Sequence, residues 1–229
     1  MLKALLFDLD GTLVSSLPEL AGGVNAALVK LGRAPLPQET IGAMIGKGLP
    51  VLCDKVAAAV GLTDVAGRER LWQGMLEAMV TSGGRHIAIL PGVQEMLLSL
   101  SARGFKTALV TNKRRDLTLA FIEARGLLEC FDAVVCGDDC AASKPAPDML
   151  LKALRELEVT PDEAVMIGDS RNDAVAARAA GVRPVLVEGG YNEGCEIAEW
   201  AREEGFDAPY ESAVAYCRTL VHEPGERHG

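Results

Sequence analysis

The sequence predicts an α/β protein, with a parallel sheet core, helices on both faces and an inserted helical domain. Three observations carry that prediction. The chain opens on an apolar run, Ala4 to Leu9, that fits a strand covered on both faces. From residue 93 onward, short apolar runs alternate with stretches of helical spacing, the pattern of a parallel sheet with crossover helices. Between the two, residues 16–86 show helical spacing almost throughout, far more chain than the roughly dozen residues a crossover needs.

Each element follows from its residues. After Val14 the apolar period lengthens: Leu20, Val24, Ala27, Leu28 and Leu31 recur at helical spacing over residues 18–31, and Gly32 can end that helix. Further helices are expected around 39–45, 49–60 and 64–80, with no strand until past Ile89 and with Pro91-Gly92 as the return. These bounds divide the chain into a core of 1–15 plus 87–229 and an insertion of 16–86. In the core, 93–103 reads as a helix with Val93, Met96, Leu97 and Leu100 inward and Gly104 closing it. A strand over 106–110 ends in Thr111-Asn112, a helix over 116–125 closes at Gly126, and a third strand, 133–136, runs into Gly137-Asp138-Asp139. A helix over 147–157 aligns Leu150, Leu154 and Leu157, a fourth strand over 164–167 reaches Gly168-Asp169, and an alanine-rich helix over 173–180 stops at Gly181. Residues 184–187 form the fifth strand, and the tail after His222 reads as loose. The whole order is Rossmann-like.

Composition narrows the function. Hydrophobic residues at 49% and charged residues at 24% are ordinary for a globular chain, and no apolar run is long enough to span a bilayer. A net charge of −9 argues against a nucleic-acid footprint, so an anionic substrate would need local cations or a metal to attract it. The start enters a strand after a single Lys, without the layout of a signal peptide, so a cytoplasmic chain is expected. Cys53, Cys130, Cys136, Cys140, Cys195 and Cys217 form no Cys-x-x-Cys pair, and His86, His222 and His228 add no ligand pattern. Disulfides and zinc are therefore not expected.

The chemistry concentrates where strands end. Asp8 and Asp10 follow an apolar strand and lead into Gly11. Strand alternation puts both on one side, where two carboxylates repel unless a cation sits between them or one holds a proton. That points to a Mg²⁺ site, with one carboxylate left as nucleophile or acid–base group. Thr111 and Asn112 can cap a helix or hold anionic oxygens. Lys144, in Ser143-Lys144-Pro145-Ala146-Pro147, sits in a loop stiffened by prolines that fixes where its ammonium points. Asp169 and Asp173, in Gly168-Asp169-Ser170-Arg171-Asn172-Asp173, stand four apart, a like-charge conflict that a metal on the first and an ammonium near the second would remove. Asp8, Thr111 and Asp169 all follow carboxyl ends of strands, the edge where open parallel sheets bind ligands.

Taken in order, Asp8-Leu9-Asp10-Gly11-Thr12-Leu13, Thr111-Asn112, Lys144-Pro145 and Gly168 to Asp173 resemble the four motifs of the haloacid dehalogenase superfamily of phosphatases over nearly the whole chain. Val110-Thr111-Asn112-Lys113, Gly137-Asp138-Asp139 and Gly190-Tyr191-Asn192-Glu193-Gly194 make it most similar, within that superfamily, to phosphoglycolate phosphatases. Ser15 departs from that pattern, where Asp is usual, and Lys47 lies at a varying position within Gly46-Lys47-Gly48. The resemblance implies that the inserted helices are a cap over the site. It implies an in-line attack by Asp8 on phosphorus and an aspartyl-phosphate. Asp10 would then serve as acid and later as base, and Asp8, the Asp10 backbone carbonyl and Asp169 would hold Mg²⁺. Asp8, Thr111, Asn112 and Lys144 would bind the phosphoryl group, and Ser170 and Asp173 would orient the residues around it. Gly46, Lys47 and Gly48 would set substrate choice, with Lys47 meeting the substrate's far carboxylate. The implied substrate is a small phosphorylated metabolite, 2-phosphoglycolate first, for a monomer or homodimer without nucleic-acid or membrane partners. The alternatives are a phosphatase for a sugar phosphate or pyrophosphate, a β-phosphoglucomutase-like phosphotransferase, a true dehalogenase, against which Asp10 speaks, and a non-catalytic binding module.

Overall fold

A computed structural model describes residues 1–221; the expected loose tail after His222 falls outside them. In chain order, β1 (Ala4–Phe7) and β2 (Val14–Ser15) precede four helices, α1 (Leu17–Lys30), α2 (Gln38–Gly42), α3 (Leu49–Ala59) and α4 (Val65–Ser82). Then follow β3 (Ala88–Ile89), α5 (Val93–Ala102), β4 (Lys106–Thr111), α6 (Arg115–Ala124), β5 (Ala133–Cys136) and α7 (Asp148–Leu157). The described chain closes with β6 (Ala164–Gly168), α8 (Arg171–Ala180), β7 (Arg183–Leu186), α9 (Ile197–Glu203) and α10 (Ala213–Val221).

β1 is the middle of a five-stranded sheet ordered β5-β4-β1-β6-β7, pairing in parallel with β4 (Ala4 beside Lys106) and with β6 (Ala4 beside Ala164). A central parallel strand has no solvent face, and all four of its residues are fully buried. Alternation then sorts the side chains. Leu5 and Phe7 join Leu109, Val165 and Ile167 beneath α5, α6 and α10, whereas Ala4 and Leu6 join Ala108, Val110 and Met166 beneath α7 and α8. Each leucine so buried contributes about 1.5–3 kcal/mol.

The four inserted helices bury an apolar cluster of their own, with Val24 and Leu28 of α1 against Leu71 and Met75 of α4, and Ile41 and Val56 from the other two helices. α1 packs chiefly on α4. One contact ties the start of this insertion to the core, and a second ties its two ends to each other. The Tyr191 hydroxyl accepts from the backbone N–H of Ser16 (3.0 Å) and of Leu17 (2.9 Å). Glu19 Oε2 accepts from Ser82 Oγ (2.8 Å) and from the His86 N–H (3.1 Å), joining the outgoing and returning linkers.

Three features depart from expectation. The linkers form an antiparallel ribbon, Val14 beside Ile89 and Ser15 beside Ala88, too short for a two-residue period to register in the sequence. The helix expected from residue 173 begins at Arg171, because Ser170 and Asp173 form a capping box that starts it earlier. The sequence also gave no warning of α9 and α10, which cover the flank of the sheet with Ile197 and Ala201 and with Tyr216 and Cys217.

Candidate active site

The carboxyl ends of β1, β4 and β6 deliver Asp8, Thr111-Asn112 and Asp169 to one sheet edge, as the sequence predicted. Beyond Asp8 the chain doubles back: the Leu9 carbonyl accepts from the N–H groups of Leu13 (3.0 Å) and Val14 (3.1 Å). Gly11 makes that reversal at φ +94°, and a Cβ there would strike the Asp169 carboxylate. A Cβ at Gly190 would strike the same carboxylate from the loop after β7. Asp169 thus lies in a cradle shaped by two glycines. Its Oδ1 accepts from Thr12 Oγ1 (2.7 Å) and its Oδ2 from the Tyr191 N–H (2.5 Å).

Lys144 ties the floor together. It is 2% exposed, and its ammonium donates to Asp8 Oδ1 (2.9 Å), Asp173 Oδ1 (2.6 Å) and the Val110 carbonyl (2.7 Å). All three of its N–H bonds are therefore in use. Its loop is clamped by the Asn112 carboxamide, which donates to the Lys144 carbonyl (2.9 Å) and accepts from the Lys144 N–H (3.0 Å). Asp173 is held in turn by the Ser170 hydroxyl (2.7 Å) and N–H (3.1 Å) on Oδ2. The expected ammonium beside Asp173 is Lys144. Thr111 is buried and its Oγ1 accepts from the Lys113 N–H (3.2 Å).

Carboxylate oxygens of Asp8, Asp169 and Asp173 lie within 4.8 Å of one another. Burial pushes the Asp8 carboxyl up to about 6, with Lys144 opposing and Asp173 adding to the rise. Burial, and then the charges of Asp8 and Asp173, drive Asp169 well above the usual carboxylate range. For Lys144, burial works against the charge, but Asp173 and Asp8 outweigh it and hold its pKa above the ordinary lysine value. One ammonium, bonded to Asp8 and Asp173, thus stands against a cluster of three carboxylates. Both oxygens of Asp173 are committed to Lys144 and Ser170, so the uncompensated charge falls on Asp8 and Asp169. All-oxygen donors with excess negative charge fit a hard divalent cation.

These residues floor a cavity of about 70 Å³, far below the roughly 300–1,000 Å³ typical for drug-sized ligands. The insertion roofs it with Leu20, Ile45, Gly46, Gly48, Leu49, Leu52 and Met79. None of these carries a polar side chain. Gly46 and Gly48 therefore border the cavity. Lys47 is not among the lining residues; its ammonium lies 3.7 Å from Glu193 Oε2 and its side chain is 41% exposed.

Several participants had escaped the sequence reading. Lys113 lines the cavity, with Nζ 3.1 and 3.3 Å from the two Asp10 oxygens and its side chain 9% exposed. Its place one residue past Thr111-Asn112 was the available signal. Glu193 gathers Lys55, Lys47 and Arg171 (2.5 Å) between the insertion and α8. Burial opposes its charge, but Arg171 and the two lysines prevail and hold its carboxyl down at about 2. A loop glutamate gives no sequence signal of such a role.

The fold and this edge define a class. A family profile described as haloacid dehalogenase-like hydrolase matches residues 5–187, and the chain belongs to that family. Among curated proteins it is 41% identical over 202 residues to the phosphoglycolate phosphatase of Nitrosospira multiformis, covering 86% of this chain and 88% of that one. It is 36% identical over 220 residues to the phosphoglycolate phosphatase of Colwellia psychrerythraea, covering 94% and 97%. The crystal structure of a predicted phosphoglycolate phosphatase from Haemophilus somnus 129PT superposes with a TM-score of 0.89 at 26% identity, covering 96% of this chain and 98% of that chain.

Proposed function

We propose that the chain is a phosphoric monoester hydrolase that converts 2-phosphoglycolate to glycolate and phosphate through an aspartyl-phosphate on Asp8. The observation that carries this reading is the meeting of Asp8, Lys144 and Asp169 on the floor of a small cavity. Asp8 has one oxygen on Lys144, which orients the carboxylate for in-line attack on phosphorus. Lys144 also offsets the repulsion between that carboxylate and the incoming phosphoryl oxygens. Asp10 protonates the leaving alkoxide and then takes a proton from the water that opens the intermediate. The buried Thr111 and the backbone at Asn112 receive the phosphoryl oxygens, while the Asn112 carboxamide, Ser170 and Asp173 keep Lys144 in place. Asp8, the Asp10 carbonyl and Asp169 would hold Mg²⁺, which when bound neutralises phosphate charge facing the carboxylates.

Two further observations favour a small substrate. The cavity is small, and its roof offers no side-chain hydrogen bonds to sugar hydroxyls. Residues 16–86 act in this scheme as a cap that excludes water, and residues 1–15 with 87–229 as the catalytic core. The named relatives support the phosphatase reading. Among the described residues no helix is long and apolar enough to cross a membrane; the enzyme is read as cytoplasmic, a monomer or homodimer.

The test is phosphate release from 2-phosphoglycolate beside ethyl phosphate, glucose phosphates and pyrophosphate, with Mg²⁺ and with chelator. A lead of about tenfold or more in kcat/KM for 2-phosphoglycolate, lost in chelator, is expected. Turnover of none of these esters with Mg²⁺ would overturn the hydrolase reading.

A further inference from the structure

We propose that Lys113, rather than any residue of the insertion, recognises the carboxylate of the substrate and so selects phosphate monoesters with an anionic group one methylene from the ester oxygen. The proposal rests on the hydrolase reading above and on four observations. First, the seven insertion residues lining the cavity are all apolar or glycine, so an anionic end of the substrate finds no charge in the roof. Second, the cationic side chains lining the cavity are Lys113, Arg114 and Lys144. Lys144 has spent its three N–H bonds on Asp8, Asp173 and Val110, and Arg114 is turned to Asp116 by two hydrogen bonds of 3.1 and 2.9 Å. Third, Lys113 is nearly buried and its ammonium contacts the Asp10 carboxylate alone among the described side chains. Fourth, its backbone is fixed at both ends, with N–H on Thr111 Oγ1 (3.2 Å) and carbonyl accepting from the Gly137 N–H (3.0 Å).

Position makes this cation selective. Asp10 reaches the ester oxygen if it protonates the leaving group. A cation within ion-pair distance of Asp10 therefore lies beside whatever the leaving group carries next to that oxygen. In 2-phosphoglycolate the carboxylate is there. Ethyl phosphate has the same two carbons and nothing for Lys113 to meet. The carboxylate does not change during phosphoryl transfer, so the contact contributes equally to ground and transition states and appears mainly in KM.

The experiment compares kcat and KM for 2-phosphoglycolate and ethyl phosphate, with Mg²⁺, in the wild type, Lys113→Met and Lys113→Arg. The preference for 2-phosphoglycolate is expected to fall about 30-fold or more in Lys113→Met, mainly through KM, and to be largely restored in Lys113→Arg. The preference is a ratio within one variant, so partial unfolding, or a general loss from leaving Asp10 unpaired, cancels. An unchanged ratio in Lys113→Met overturns the proposal while the hydrolase reading stands. Failure of the wild type on both esters overturns both. Calorimetric binding of 2-phosphoglycolate to Asp8→Asn with and without Lys113→Met gives a reading free of turnover, and equal affinities there would also overturn the proposal.

Discussion

Lys144 shows how a single side chain organises this edge. It pairs with both Asp8 and Asp173, in a place where an unpaired charge is costly. Lys144→Ala leaves both carboxylates buried without their partner, so a loss of about 3–5 kcal/mol in stability is expected, together with several orders of magnitude in rate. Urea denaturation and phosphate release check the two. Asp8→Asn behaves in the opposite way. It should abolish turnover, and activity within about tenfold of wild type would remove Asp8 as nucleophile. It should not lower the melting temperature in chelator, because it takes one charge from an overcrowded cluster. The pH dependence has a definite sign. Asp8 titrates near 6 in the folded chain, above its ordinary value of about 3.9. Its contribution to stability is fully present below pH ~4 and is lost as pH rises through ~6. The Tm advantage of Asp8→Asn over the wild type should therefore be larger at pH 8 than at pH 4.5. Thermal melts in chelator across that range decide it; a gap that widens on acidification would contradict the burial argument.

Between elements, a few contacts set how the insertion meets the core. Tyr191 donates its N–H to Asp169 and accepts at its hydroxyl from the first residues of α1. Tyr191 thus touches both the Asp169 carboxylate and the start of the insertion. Glu193 works beside it, binding Lys55 of α3 and Arg171 of α8. Glu193→Gln should loosen that seam, costing about 1–2 kcal/mol, or roughly 2–8 °C in Tm, with faster amide exchange around residues 43–48. Exchange that is unchanged there while Tm falls would show Glu193 to be a local prop and not a tie to the insertion.

At the scale of the molecule, a chain of net charge −9 collects three carboxylates, two of them buried, in one place, and a divalent cation is the natural relief. Mg²⁺ at about 100 times its Kd should stabilise the chelator-treated protein by about 2.7 kcal/mol, visible as a Tm rise of several degrees at neutral pH. Asp169→Asn should remove most of that rise. A full rise in Asp169→Asn would place the cation elsewhere.

The amino-acid sequence by itself determined the sheet and most of the helices, because periodicity is local and the strands of a buried sheet are uniformly apolar. It also determined the floor of the site. Asp8, Thr111 and Asp169 each lie next to the end of a strand, so their meeting follows from the topology. Tertiary structure alone decided which cation faces the cavity. Lys47 and Lys113 both lie near motifs, but the first turns to Glu193 and the second to Asp10. That choice depends on side chains brought together from distant parts of the chain, such as Glu193 and Arg171 around the first. The ribbon of β2 and β3 was hidden for the same reason: two residues carry no period, and only the fold brings Val14 to Ile89.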